Sequence, residues 1–183
     1  MKIREKTLLI FFLCFLTDIT FTAKAQNGYP VPTKTDKLLF YFQRSHNKNT
    51  VVYELNTLTN GTINVDKPVN VSWIRYEEGG VRKELSYIQR KAFGVQWQMV
   101  DRAKESFILH FNSFKKREIY LLKLDGCNCY KTYISINGEP SELTRIYIQS
   151  ENNSFGFPLS IKFIEISGIN LKSRKNITER YIP

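Results

Sequence analysis

Histidine is almost missing from this chain. His46 and His110 are the only two, whereas a transition-metal site draws three or four ligands from His, Cys, Asp and Glu. Cysteine is as scarce. Cys14 sits in an N-terminal apolar run, which leaves Cys127-Asn-Cys129 as the one pair in the body of the chain. With a single residue between them, extended backbone would hold the two Cβ atoms too far apart for a relaxed disulfide. The pair is expected to be reducible or unbonded, and no metal site is expected. Also absent are G-x-G-x-x-G, G-x-x-x-x-G-K, G-x-S-x-G and H-E-x-x-H, the local signatures of nucleotide binding, acyl transfer and metalloproteolysis. No cofactor is expected. An active site assembled from distant strands leaves no local pattern, so catalysis stays open on this ground.

Long apolar runs are lacking too. Leu8 to Leu16 falls far short of the ~20 residues that span a bilayer. Lys2, Arg4 and Lys6 precede this run, and Ala23-Lys24-Ala25 follows it. That is the pattern of a signal peptide over residues 1–25. A polar tether with Pro30 and Pro32 is expected over 26–37, and one β-rich domain over 38–183. No transmembrane span would remain after cleavage. The expectation is an exported protein, periplasmic or extracellular, with a bacterial envelope preferred. The four N-x-S/T triplets, at Asn60, Asn70, Asn153 and Asn176, do not alter this, because about two arise by chance in a chain rich in Asn, Ser and Thr.

Charge is the first positive feature. The chain carries 27 basic and 17 acidic residues, net +10, and loss of residues 1–25 would leave 23 and 15, net +8. A basic exported protein favours anionic small molecules, acidic glycans or lipid head groups. Nucleic acid is not expected, since no nucleic-acid motif is present.

The rest reads as strand after strand. Short apolar or alternating runs at 38–43, 50–55, 62–65, 69–74, 95–101, 106–111, 118–124, 130–136, 143–149, 159–166 and 177–182 are separated by Asn, Gly, Asp and Pro turns. In Phe107-Ile-Leu-His-Phe111, His110 is out of phase with the three apolar positions and is expected on a strand surface. An all-β fold follows, mainly an antiparallel sandwich or barrel. One short helix is expected around residues 81–92. Val81, Leu85, Ile88 and Ala92 would share its core face, Lys83, Tyr87 and Arg90 would form a basic outer face, and Gly94 would be a left-handed C-cap.

Candidate chemistry centres on the donor-rich loop Arg44-Ser-His-Asn-Lys-Asn49. Arg44, His46, Asn47 and Asn49 are expected to offer hydrogen bonds to a carboxylate or phosphate, joined by Arg75 and Tyr76 at the end of the Trp73 strand. The leading expectation is a β-domain that binds a small anionic, glycan or lipid ligand without transforming it. One alternative is an envelope hydrolase using His46 with Glu54, Glu77 or Glu78. Another is a scaffold for a protein partner, recognised by a contiguous exposed apolar patch. Phe40 to Asn56 and Trp73 to Gly94, together with Phe163-Ile-Glu-Ile166 and Tyr181-Ile-Pro183, resemble an uncharacterised bacterial family, domain of unknown function 4833. The resemblance implies one exported domain and no particular activity or site residue.

Overall fold

The computed structural model describes residues 28–151 and 160–183. The expected signal peptide and its cleavage site, Cys14 and Asn153 lie outside these. Eleven strands and one helix follow in order: β1 Leu38–Arg44, β2 Asn47–Leu55, β3 Val69–Arg75, β4 Val81–Glu84, α1 Tyr87–Phe93, β5 Val95–Asp101, β6 Ser106–Phe111, β7 Ile119–Lys123, β8 Tyr130–Ile136, β9 Glu139–Ser150, β10 Ile161–Asn170 and β11 Asn176–Tyr181. The expected all-β class with one short helix is what the chain forms. Of the expected strands, 62–65 contributes only an isolated bridge, Thr57 to Ile63.

The sheet is organised on β9. Its first residues pair antiparallel with β8, Tyr133 opposite Glu142. Its later residues pair parallel with β1, Tyr41 opposite Arg145. Its other edge pairs along its length with β10. The sheet therefore splits into an arm β1-β2-β3-β4 and an arm β8-β7-β6-β5. A bulge at Ser167/Gly168 lies close to the change of partner, and bulges bend strands. Gly168 is required there, because a Cβ would stand 2.4 Å from the Glu142 carbonyl oxygen. The arms curl face to face: Phe40 meets Phe111 edge-on at 6.2 Å, and Tyr53 meets Phe111 at 5.7 Å. Among the described strands β4 and β5 do not pair, so the sheet stays open. Period-two alternation sends Phe107, Leu109 and Phe111 into the core while His110 turns to the other face, as expected.

The helix is shorter than its periodicity suggested. Val81–Glu84 is an edge strand, with Arg82 opposite Ile74 and Lys83 opposite Trp73. The open edge of β3 offers a row of unpaired backbone groups, and satisfying them outweighs a helical side-chain pattern. The helix starts only after Ser86, whose side chain and that of Gln89 form a reciprocal capping box. Of the four expected core positions Leu85 is buried, but Val81 is 51% exposed and Ile88 77%. The expected basic face also breaks up. Lys83 lies on β4 and pairs with Glu78 at 2.9 Å. Arg90 folds back so that its Nε donates to the Leu85 carbonyl at 2.9 Å, and Tyr87 stays largely in solvent without joining either cation in one row. Gly94 is extended rather than left-handed. It is glycine because a Cβ would sit 2.3 Å from the Arg90 carbonyl oxygen.

The expected loop Arg44–Asn49 is mostly strand. Only Ser45 and His46 remain outside β1 and β2, with His46 at φ 61°. Cys127 and Cys129 are joined as a disulfide. They lie in a turn after β7, where Gly126 has positive φ, and this brings their Cα atoms to 5.3 Å. The argument from extended backbone does not apply to such a turn.

Candidate functional site: an apolar cavity with an unpaired arginine

Where the two arms face each other they leave a cavity of about 550 Å³. Its wall follows from strand alternation. Ile146 and Ile148 of β9 and Ile164 and Ile166 of β10 all line it, and they stand opposite one another in register, Ile148 with Ile164 and Ile146 with Ile166. Phe42 and Phe111 add aromatic wall from the two arms, while Phe114 and Tyr181 border it from the β6–β7 loop and the end of β11. This volume lies in the range of small-molecule sites, which are mostly apolar with a few polar groups fixing orientation.

Helix α1 closes one side. Ala92 and Phe93 line the cavity, and three hydrogen bonds hold this helix end in place. The Tyr53 hydroxyl donates to the Phe93 carbonyl at 2.7 Å, Ser113 Oγ donates to the Ala92 carbonyl at 2.6 Å, and Asn112 Nδ2 donates to the Arg90 carbonyl at 2.7 Å. Burial pushes the Tyr53 hydroxyl well above its usual range, so it remains a donor. Phe93 packs edge-on against Phe42 at 5.0 Å and against Trp73 at 5.8 Å.

Two arginines reach the cavity wall, and they differ. Arg117 is committed: it forms an ion pair with Glu179 and donates from Nη1 to the Ser135 carbonyl at 3.4 Å. The Arg117 hydrogen bond holds the Glu179 carboxyl below the usual carboxylate range. The Arg44 side chain has no hydrogen bond or ion pair among the described residues, and its Nε is enclosed without a partner. Its guanidinium carbon stands 5.5 Å from the centre of the Trp73 ring, a cation–π arrangement. Burial pulls its pKa down, and the charge of Glu77 partly opposes this.

Three of the expected site residues come together here. Thr50 is opposite Ile74, so Asn49 and Arg75, one residue further along each strand, share a face with the end of β1 that carries Arg44. Carboxylates already occupy part of this row. Asn49 Nδ2 donates to Glu77 Oε2 and the Glu77 N–H donates back to Asn49 Oδ1, each at 3.3 Å. Arg75 forms an ion pair with Glu78. The other three residues stand apart. His46 is exposed in the turn, its backbone N–H donating to the Tyr29 hydroxyl at 3.1 Å; among the described residues no carboxylate lies within ion-pair distance of its ring. Asn47 Oδ1 accepts from the Asn49 N–H at 2.8 Å, a turn-forming contact. Burial pushes the Tyr76 hydroxyl upward, a shift that the nearby Arg82 charge opposes and Tyr41 reinforces. Neighbours on a strand point to opposite faces, and Tyr41 alternates with the cavity-facing Phe42.

The 13 Phe, 10 Tyr and 2 Trp made an apolar-lined cavity of a lipid carrier conceivable from the sequence, but neither its place nor its wall was legible, and Arg145 was missed. Arg145 is 2% exposed and lies on the face of β9 opposite Ile146. Its Nε donates to Gln43 Oε1 at 2.8 Å, its Nη1 lies 3.5 Å from Glu165 Oε1, and its Cζ is 4.8 Å from the Tyr147 ring centre. Burial, together with a hydrogen bond to Tyr29, raises the Tyr147 hydroxyl to about 12. The signal for the cavity wall was the alternating Ile residues of β9 and β10, but that pattern reads only as core. Nothing local marks an arginine in an alternating strand as buried.

Residues 40–180 match the model of a family described as a domain of unknown function, DUF4833. No curated protein and no solved structure matches the chain.

Proposed function

The chain belongs to the DUF4833 family, whose description supplies no chemistry, and from the geometry we propose that it binds a small amphipathic anion without transforming it. The apolar body of the ligand occupies the cavity between the arms, and its carboxylate or phosphate head lies against Arg44. The observation that carries this reading is Arg44 itself. A half-buried guanidinium has lost hydration and has no hydrogen-bonded partner among the described residues, beside a wall of Ile and Phe side chains. An anion there would supply charge-assisted hydrogen bonds in a poorly solvated place, where they are strong. Trp73 fixes the guanidinium from one side. Asn49 draws the Glu77 carboxylate to itself, which limits its competition for Arg44. Export to a bacterial envelope belongs to the same proposal and rests on the N-terminal sequence.

The test is a titration with a long-chain carboxylate carrying a fluorescent reporter, beside its uncharged alcohol analogue. Saturable binding of the carboxylate with blue-shifted emission is expected. Arg44→Gln should weaken the carboxylate about tenfold or more, since a hydrogen bond to a charged group contributes about 1.5–3 kcal/mol, and should leave the alcohol unchanged. Ala92→Trp should reduce both by filling the cavity. Absence of saturable binding, or equal loss of both probes in Arg44→Gln, would sink the proposal.

A further inference from the structure

We infer that the rim of this cavity seats on an anionic membrane surface, so that a ligand passes between the bilayer and the cavity without crossing water. The inference builds on the cavity as a ligand site, but the surface has evidence of its own. Lys115 and Lys116 are exposed and lie in the chain between Phe114 and Arg117, both of which line the cavity. On the opposite border Ile182 is 74% exposed and lies between Tyr181 and Pro183, which also line it. Phe114 and Tyr181 face each other, ring centres 6.4 Å apart, so these two segments meet at the same opening.

Helix α1 continues the pattern. Ala92 and Phe93 form wall, while Tyr87 and Ile88 at the start of the same short helix are 71% and 77% exposed. Lys91 Nζ lies 4.7 Å from the Tyr87 ring centre. The Ser113–Ala92 hydrogen bond ties this helix to the loop that carries the lysines.

Exposed Ile and Tyr side chains interleaved with lysines are what an anionic interface selects, with apolar groups entering the head-group layer and lysines meeting its charge. The carboxylates in this region do not cancel the lysines. Glu179 is paired with Arg117, and Glu118, which accepts from the Tyr120 hydroxyl, and the exposed Glu151, next to cavity-lining Ser150, are two charges against Lys91, Lys115 and Lys116. Among the described residues no helix is long and apolar enough to cross a membrane, so the contact would be peripheral.

Vesicle sedimentation of the full chain tests this, comparing mixed phosphatidylglycerol–phosphatidylcholine vesicles with phosphatidylcholine alone. Binding to the anionic vesicles is expected, weakening with salt and falling about tenfold or more in the double variant Lys115→Glu/Lys116→Glu. The double variant keeps the whole N-terminal region, so a loss cannot come from its apolar run. It should still bind the fluorescent carboxylate, which separates this proposal from the cavity reading. If the carboxylate binds but the vesicles are ignored, or if the double variant binds them as well as the parent, docking is overturned while the cavity reading stands. If the parent fails to bind the carboxylate, the cavity reading fails whatever the vesicles show. A concentration-dependent dimer that the double variant disrupts, without vesicle binding, would assign the rim to a second copy of the chain and overturn the proposal.

Discussion

The hydroxyl of Tyr53, in the second half of β2, donates to the Phe93 carbonyl at the end of α1 across 2.7 Å. Tyr53 is fully buried, so this one bond connects the centre of the first arm to the helix that forms a cavity wall. The helix has seven residues and no buried side chain of its own, too short to hold together by propensity. Its position is set by the bonds at its C-terminal end.

Tyr53→Phe keeps the ring and removes the donor, leaving the Phe93 carbonyl without that partner. A loss of about 1–3 kcal/mol is expected, read as a lower urea midpoint with an unchanged denaturant slope. The fluorescent carboxylate should also bind more weakly, because the Phe93 wall is no longer fixed. Full affinity in a destabilised variant would separate the helix from the cavity.

Arg145 gives a contrasting expectation. Its side chain is buried on the face of β9 away from the cavity, with Gln43 and Glu165 as partners. Arg145→Ala removes one side of a buried polar pair, but Glu165 keeps Arg180 at 3.2 Å, so the loss should fall below the ~3–5 kcal/mol of a buried charge left wholly unpaired. If the variant folds, it should bind the carboxylate probe as the parent does. A milder pair, Arg145→Met with Glu165→Gln, should recover part of the stability; no recovery would mean that packing, rather than charge, dominates at this position.

Acid should weaken the fold through Glu179. Its carboxyl is held below the ordinary value of 4.5, first by the hydrogen bond from Arg117 and then by the Asn137 backbone. The unfolded chain then binds more protons than the folded one in this range. The stabilisation is complete above the ordinary value and is lost as pH falls through the lowered one. Unfolding midpoints measured from pH 6 down to pH 3 (about the span of carboxylate titration) should fall less steeply in Glu179→Gln than in the parent. Glu105, lowered mainly by its hydrogen bond from Lys123, should preserve some of the slope. Parallel curves would remove Glu179 as a contributor.

Much of the fold was legible because period two is a local property. In β6 the residues Phe107, Leu109 and Phe111 alternate, and the strand, its buried face and the outward His110 followed from that alone. The 81–92 helix was read too long for the complementary reason. Val81 and Leu85 fit a helical period, but that period is blind to the β3 edge just upstream, where Arg75 stands opposite Val81 and Ser72 opposite Glu84, and the capping residue Ser86 marks the start only once that edge is occupied. For the candidate site the split is similar. Arg44, Asn49 and Arg75 stood out as donors, and strand register brought them to one face. His46, Asn47 and Tyr76 stood out equally, and the tight turn and side-chain alternation took them elsewhere.

The sequence by itself determined an all-β chain with one short helix, a surplus of positive charge and the absence of the common catalytic signatures. These depend on residue type and on spacings of a few positions. Tertiary structure alone decided that β9 changes partners between β8 and β1, that the two arms leave a cavity between Ile and Phe faces, and that Arg44 stands at its wall without a carboxylate while Arg117 has one. Each of these depends on what lies across a gap from a side chain, and chain neighbours do not encode that distance.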